Sequence, residues 1–444
     1  MGEVLLSVAI LALASLICIA GKRFSVVIQI IGAVLLFGCI TACFIAVTIH
    51  RGGLSRLVPA FSAQGTPTDQ ILTIVVLAPW AFIGFESISH SAGEFRFSAK
   101  KSLPVIIIAL FTGAMAYAML TLCASMSIPD GFRSWTEYIG ELSSFEGIQG
   151  LPTFHAAQDA MGPAGIVTLG IAAFCGVLTG LIGNMIALSR LIYRMSSDKM
   201  LPKGFDKLNR RGVPARAVLC IAAVSVIIPL LGRTAIGWIV DVTTIGATIV
   251  YAYISICAFM LGKREKKVSA IIYGATGALI SMIFAVFYLL PNIRSQSELA
   301  AELYMILILW SVIGMIVFRV LMKRDTTRRF GKSMVVWIIL FCLILLVSVS
   351  WINRITLDTS RNTAVELRTV HTELAGQAGL DPDNESVMET NRFISESFIG
   401  FADNVRQNIF IFAGLLLGSL ALIFSIFTII KKKGTGHRSG TLDR

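Results

Sequence analysis

Runs of about 18–25 apolar residues recur along most of this chain, each long enough to cross a bilayer as a helix. No other feature narrows the fold so far. Backbone in contact with lipid must satisfy its own hydrogen bonds, which leaves bundled helices or a closed barrel. A barrel would alternate apolar and polar residues over segments of about ten, and no such alternation occurs here. With 55% of residues hydrophobic and only 14% charged, the composition also excludes an ordinary soluble domain. The expected class is an all-α polytopic membrane protein. Eleven spans are predicted, near 3–20, 25–48, 70–92, 103–127, 164–189, 215–232, 235–261, 268–290, 302–322, 333–352 and 408–430.

The formal net charge of +12 does not point to nucleic acid, because the lysines and arginines cluster in short loops between spans. One alternate set of loops holds GKR, EFRFSAKK, the long SRLIYRMSSDKMLPKGFDKLNRRG, GKREKK, MKRDTTRRFGK and the tail KKKGTGHR. The positive-inside rule makes that set cytoplasmic and puts the C-terminus inside. The eight cysteines lie within apolar spans without CxxC spacing, so no metal site and no cofactor are expected. An enzyme is not expected either: no loop holds a nucleophile–base pair, a phosphate loop or a dinucleotide fingerprint.

One span breaks the apolar rule. APWAFIGFESISHSAGEF, from Ala78, places Pro79, Gly84 and Glu86 where hydrocarbon should be. Proline removes a backbone donor and glycine permits unwinding, so the helix is predicted to break near 82–86. Such a break is tolerated at bilayer depth only where it is packed in protein or lines a cavity. Its exposed amides suit a carboxylate and its carbonyls suit an ammonium group or a cation. Placing Glu86 at a span centre costs about 2.5–3.5 kcal/mol on insertion scales, and intramembrane carboxylates usually serve function. The candidate substrate-binding residues are Trp80, Phe82, Ile83, Gly84, Phe85 and Glu86. Glu86, His90 and Asn184 are candidates for a proton or ion pathway. Glu86, His90 and Glu94 share a helical face, although His90 and Glu94 are also where a polar inner helix end should fall. Asp241 is expected to cap the seventh span or to pair with Arg233. Residues 129–162 form an outer loop with a short cap helix.

At WAFIGFESI, followed by Glu94, the pair Lys100–Lys101 and Leu103–Pro104, the chain resembles the sixth helix and following loop of the amino acid–polyamine–organocation superfamily. Phe97 and Ser98 stand where an Asn-Pro is usual. GNMIALSRLIYRMSSDKMLPKGFDKLNRRGVPARAV resembles the end of the family's eighth helix and the loop into its ninth. DVTTIGATIVYAY resembles its tenth helix, and GKRFSVVIQ the junction of its fourth and fifth. The four matches stand in family order and cover roughly residues 1–325. They imply a partial 5+5 inverted-repeat bundle with binding between a broken first and a broken sixth helix. In that order the first span here is helix four, and helices one to three are absent. The resemblance therefore implies transport of an amino acid or related amine by alternating access, coupled to a proton or ion gradient or run as exchange. It further implies that this form is inactive unless those helices are supplied.

The expected organisation is a transporter core over 1–330, a two-helix membrane appendix over 331–430 and a basic cytoplasmic tail over 431–444. Within the appendix, 353–407 is acidic, carries apolar residues at helical spacing and has the turn-rich GLDPDNES between two such stretches, which predicts an extracytoplasmic helical hairpin. Expected partners are the lipid bilayer, a small-molecule substrate and a coupling ion, with no nucleic acid. The expected location is a bacterial plasma membrane. A different functional class stays open: a sensor that uses the permease fold to couple ligand binding to signalling.

Overall fold

The structure is a computed structural model that describes residues 2–52, 61, 66–90, 98, 101–129, 131–145, 147–232, 234–289, 301–324, 333–381 and 383–402, with 418, 421, 424 and 428 singly. Every regular element among the described residues is a helix. Among the described residues, seven helices are long and apolar enough to cross a membrane. The chain is thus an all-α, multi-pass membrane protein. By packing it divides into two compact units, Met1–Gly237 and Trp238–Arg444.

In the first unit, α1 (Gly2–Ala20), α2 (Lys22–Arg51), α5 (Ser102–Met126) and α8 (Pro163–Ser197) are full spans. Between α2 and α5 lie α3 (Pro67–Phe82) and α4 (Ser87–His90), and between α5 and α8 lie the short helices α6 (Trp135–Gly140) and α7 (Pro152–Met161). α9 (Ala215–Ser225) and α10 (Ile227–Leu230) follow, so the sixth expected span is interrupted at Val226. The backbones of α2 and α8 approach closely at Gly32, where a Cβ would come within 2.5 Å of the Thr179 methyl. Small residues at such crossings replace the hydrophobic drive that lipid does not supply. Leu11, Ala14 and Cys18 of α1 pack with Ile182 and Met185 of α8 and Val218 of α9. The opposite flank of α5 shows lipid what a span should: Ile107, Ile108 and Phe111 are more than half exposed.

The expected cap helix of the outer loop is two helices. α6 opens on a capping box: Ser134 Oγ accepts from Glu137 N, and Glu137 accepts in turn from Arg133 N at 2.9 Å. α7 is tied to the end of α2 by Arg51, whose Nε donates to Asp159 Oδ2 at 2.6 Å, with Ser127 Oγ donating to the same oxygen at 2.9 Å. Burial pushes the Tyr138 phenol up from its ordinary range, and its hydroxyl donates to the Gln149 carbonyl.

The second unit contains α11 (Thr234–Glu265, from Trp238 on), α12 (Val268–Leu289), α13 (Ala301–Arg324) and α14 (Ser333–Gln377), with a further helix, α15, over 385–402. α11 begins seven residues before Asp241, so that carboxylate sits in the third turn and cannot cap the helix; Arg233, its other expected partner, lies outside the described residues. Gly232, at φ +80°, ends the preceding element and moves the helix start upstream. α12 lies against α11 at Gly274, where a Cβ would come within 2.4 Å of the Phe259 amide. Ile308 and Met315 of α13 interlock with Phe341 and Leu345 of α14. α14 does not stop at the expected end near 352 but runs on unbroken for 45 residues. α15 follows the turn residues 378–379 and 383 and packs back on α14, where Arg368 Nε donates to the Asn391 carbonyl at 3.3 Å. The span expected at 408–430 lies outside them, apart from single residues.

Candidate functional site

The helix break falls where Pro79 and Gly84 predict it. Pro79 cannot donate to the Val75 carbonyl, yet α3 carries on for one more turn to Phe82. Residues 83–86 then form a turn before α4 begins at Ser87. Ile83 N bonds to the Trp80 carbonyl at 3.2 Å, three residues back instead of four, so the coil tightens before it opens. Gly84 adopts φ +117°, a conformation that other residues rarely reach.

Two polar groups at the break find partners beyond the helix ladder. Gly84 N donates to Glu86 Oε2 at 2.9 Å, so the carboxylate acts as a local cap. The Ala81 carbonyl accepts from Tyr117 Oη of α5 at 3.0 Å, and the Phe82 and Tyr117 rings meet edge to face at 6.0 Å. These contacts explain how a membrane segment can leave helical geometry without orphaning its backbone. Nothing lies within 4 Å of where a Gly84 Cβ would be, so the turn borders open space.

Just beyond the break, α4 forms part of the wall of a cavity of about 400 Å³. Ser87 contributes from α4, Lys22 and Gln29 from α2, and Ser189, Arg190 and Tyr193 from the far end of α8. Two cations and no carboxylate line it among the described residues. The basic loop between α8 and α9 closes one end. Asn209 folds it tightly, its Oδ1 accepting from Arg211 N and Val213 N, both at 2.9 Å. The same loop caps α1: Asn209 Nδ2 donates to the Ile19 carbonyl at 3.3 Å and Arg211 Nη1 to the Ala20 carbonyl at 2.7 Å. A guanidinium at a helix C-terminus satisfies open carbonyls and complements the helix dipole.

Of the candidates read from the sequence, Trp80 and Phe82–Glu86 form one contiguous turn region, and Trp80 is 45% exposed. His90 is the exposed last residue of α4, as a polar inner helix end should be. Glu94 lies outside the described residues. Asn184 is exposed on α8 and is not part of the cavity wall, whereas its neighbour Gly183 is. The break and Asn184 are therefore not joined through this cavity. Lys22, Ser25 and Gln29 were not singled out, although their three- and four-residue spacing marks a polar stripe on an otherwise apolar helix. Among the described residues no three His, Cys, Asp or Glu side chains gather as a metal site would require.

A multi-pass helical bundle with a helix break beside a cavity that a basic loop closes at one end matches the layout expected of a membrane permease. The sequence pattern of the family described as amino acid permease matches residues 3–298, and the chain belongs to that family. It is 26% identical over 187 residues to a branched-chain amino acid permease of Lactococcus lactis subsp. cremoris, covering 42% of this chain and 37% of the relative. It is 24% identical over 223 residues to a D-serine/D-alanine/glycine transporter of Escherichia coli (strain K12), covering 48% of this chain and 44% of the relative. It is also 26% identical over 252 residues to an arginine/ornithine antiporter of the same Lactococcus strain, covering 55% and 44%. The chain thus spans less than half the length of these curated relatives.

Proposed function

We propose that the protein takes part in secondary transport of amino acids or related amines by alternating access, with binding at the break over Phe82–Glu86 and with Trp80 beside it. Coupling is to a proton or ion gradient, or to exchange. The setting is a bacterial plasma membrane, with the basic loops and the C-terminus inside. The observation that carries this reading is the turn at 83–86: a non-helical segment between α3 and α4, with no described residue within 4 Å of a Gly84 Cβ, leading into a cavity whose walls bear Lys22 and Arg190. A zwitterion fits such a place. Its carboxylate suits backbone amides and the cations on the inward side, and its ammonium group suits the Glu86 carboxylate. Because Glu86 Oε2 already holds the Gly84 amide, binding must exchange one partner for another. That exchange is the differential contact a transport cycle needs, since a ligand shifts an equilibrium only by what it bonds differently in the two states. Glu86 is also the proposed proton carrier.

The test is equilibrium binding of radiolabelled leucine, alanine and arginine to the purified protein in lipid nanodiscs, with uptake by proteoliposomes read in parallel. Saturable binding of at least one, weakened about tenfold or more by Glu86→Gln, is expected. Absence of saturable binding for all three, whether or not flux is seen, would reject the amino acid reading. A sensor role has one observation in its favour: α14 continues from the membrane into the hairpin without a break. Ligand-dependent signalling without flux would select it.

A further inference from the structure

The hairpin of α14 and α15 holds a second cavity, of about 460 Å³, which belongs to no part of the permease core. Leu357, Arg361, Val365 and Arg368 line it from α14, and Phe398 and Ile399 from α15. The α14 residues fall on one face, since positions 361, 365 and 368 are four and three apart. The two arginines are thus seven residues, about 10 Å of helix rise, apart, with Val365 between them. Their situations differ. Arg368 is held, its Nε donating to the Asn391 carbonyl across the hairpin at 3.3 Å. Arg361 has no hydrogen bond or ion pair to any described residue. Among the described residues no carboxylate lines the cavity: Glu396, the acidic side chain on the same stretch of α15, pairs outside it with Arg392 at 2.8 Å. Val365 and Ile399 are 62% and 61% exposed, although this part of the hairpin lies beyond the apolar span.

We propose that this cleft is a binding site for an amphipathic organic anion, with the anionic head on Arg361 and an aliphatic body against Val365, Phe398 and Ile399. The argument is complementarity. Arg361 is exposed and hydrated, so an anion need displace only water to reach it, and carboxylate or phosphate matches its planar fork. Exposed aliphatic and aromatic walls call for hydrocarbon, and covering them gains about 25 cal/mol per Å². Among the described residues no acidic group lines the cleft, so an anion without an ammonium group suits it better than the free amino acid of the proposed transport cycle. The inference does not depend on that cycle. The head group can come from a soluble aliphatic carboxylate or from an anionic lipid, because the cleft begins about 8 Å past the end of the apolar stretch at Ile352.

The probe is hexanoate, titrated calorimetrically into the full chain in phosphatidylcholine nanodiscs, with hexylammonium and 1-hexanol as matched controls. Saturable binding of hexanoate alone is expected. Arg361→Gln should weaken it about tenfold or more, and Phe398→Ser should weaken it as well, while Arg361→Lys retains part of it. Arg392→Gln, outside the cleft, should leave it unchanged. Repeating the titration in discs that contain phosphatidylglycerol separates the sources: competition assigns the site to lipid, and its absence assigns it to a soluble anion. No saturable hexanoate binding, equal binding of 1-hexanol, or equal affinity in the wild type, Arg361→Gln and Phe398→Ser would overturn the proposal.

Discussion

α8 and the α3–α4 pair run through the same unit, and both are rich in residues that loosen helices. α8 contains Gly165, Gly170, Gly176, Gly180 and Gly183, yet it stays helical for 35 residues. The other segment contains a single glycine between Pro79 and His90, and it breaks there. Glycine alone therefore does not unwind a span. What differs is the company it keeps. In α8 the one proline sits at the first helical position, where its missing N–H costs nothing. In α3 the proline lies inside the helix, and a carboxylate two residues beyond Gly84 stands ready to take the amide. One glycine of α8 serves approach: at Gly165 a Cβ would sit 2.0 Å from the Ala157 carbonyl oxygen, whereas at Gly170 and Gly180 it would meet nothing within 4 Å. The glycine of the break serves conformation: nothing crowds it, but its φ is +117°.

This contrast can be broken by substitution. Gly165→Ala drives a methyl into fixed backbone where α7 meets α8, and it should cost about 3 kcal/mol in detergent–SDS unfolding titrations. Gly84→Ala meets no neighbour, so any loss comes from backbone strain alone, about 1–3 kcal/mol, accompanied by loss of amino acid binding. If Gly84→Ala is neutral, positive φ is not what the position requires. Glu86→Leu leaves the Gly84 amide without its acceptor and should cost about 1–2 kcal/mol, less than the alanine change at its worst. Gly180→Ala in α8, where a Cβ meets nothing within 4 Å, should stabilise by about 0.5 kcal/mol through helix propensity. A destabilised Gly180→Ala would show that α8 uses its glycines for more than close packing.

The break was legible because Pro79, Gly84 and Glu86 are local signals: each acts on backbone within four residues of itself. The spans were legible for the same reason, since length and apolarity are read along the chain. The cavity was not, because its wall joins residues more than 150 positions apart, such as Lys22 and Arg190. Asn184 shows the limit of the local rule. On a helix with a buried face and an exposed one, a polar residue in an apolar run can belong to either, and packing puts Asn184 on the exposed face. The expected cap at Asp241 failed for a related reason. An acidic residue near an apolar run marks a helix start only if nothing upstream starts it first, and Gly232 does.

The continuity of α14 has a mechanical meaning. Forty-five residues of α-helix make a rod of about 68 Å, more than twice the thickness of a bilayer's hydrocarbon layer. With no break among its residues, the helix that packs at Phe341 and Leu345 against α13 is the same rod that carries Arg361 and Arg368, so the packed foot and the hairpin cleft share one stiff axis.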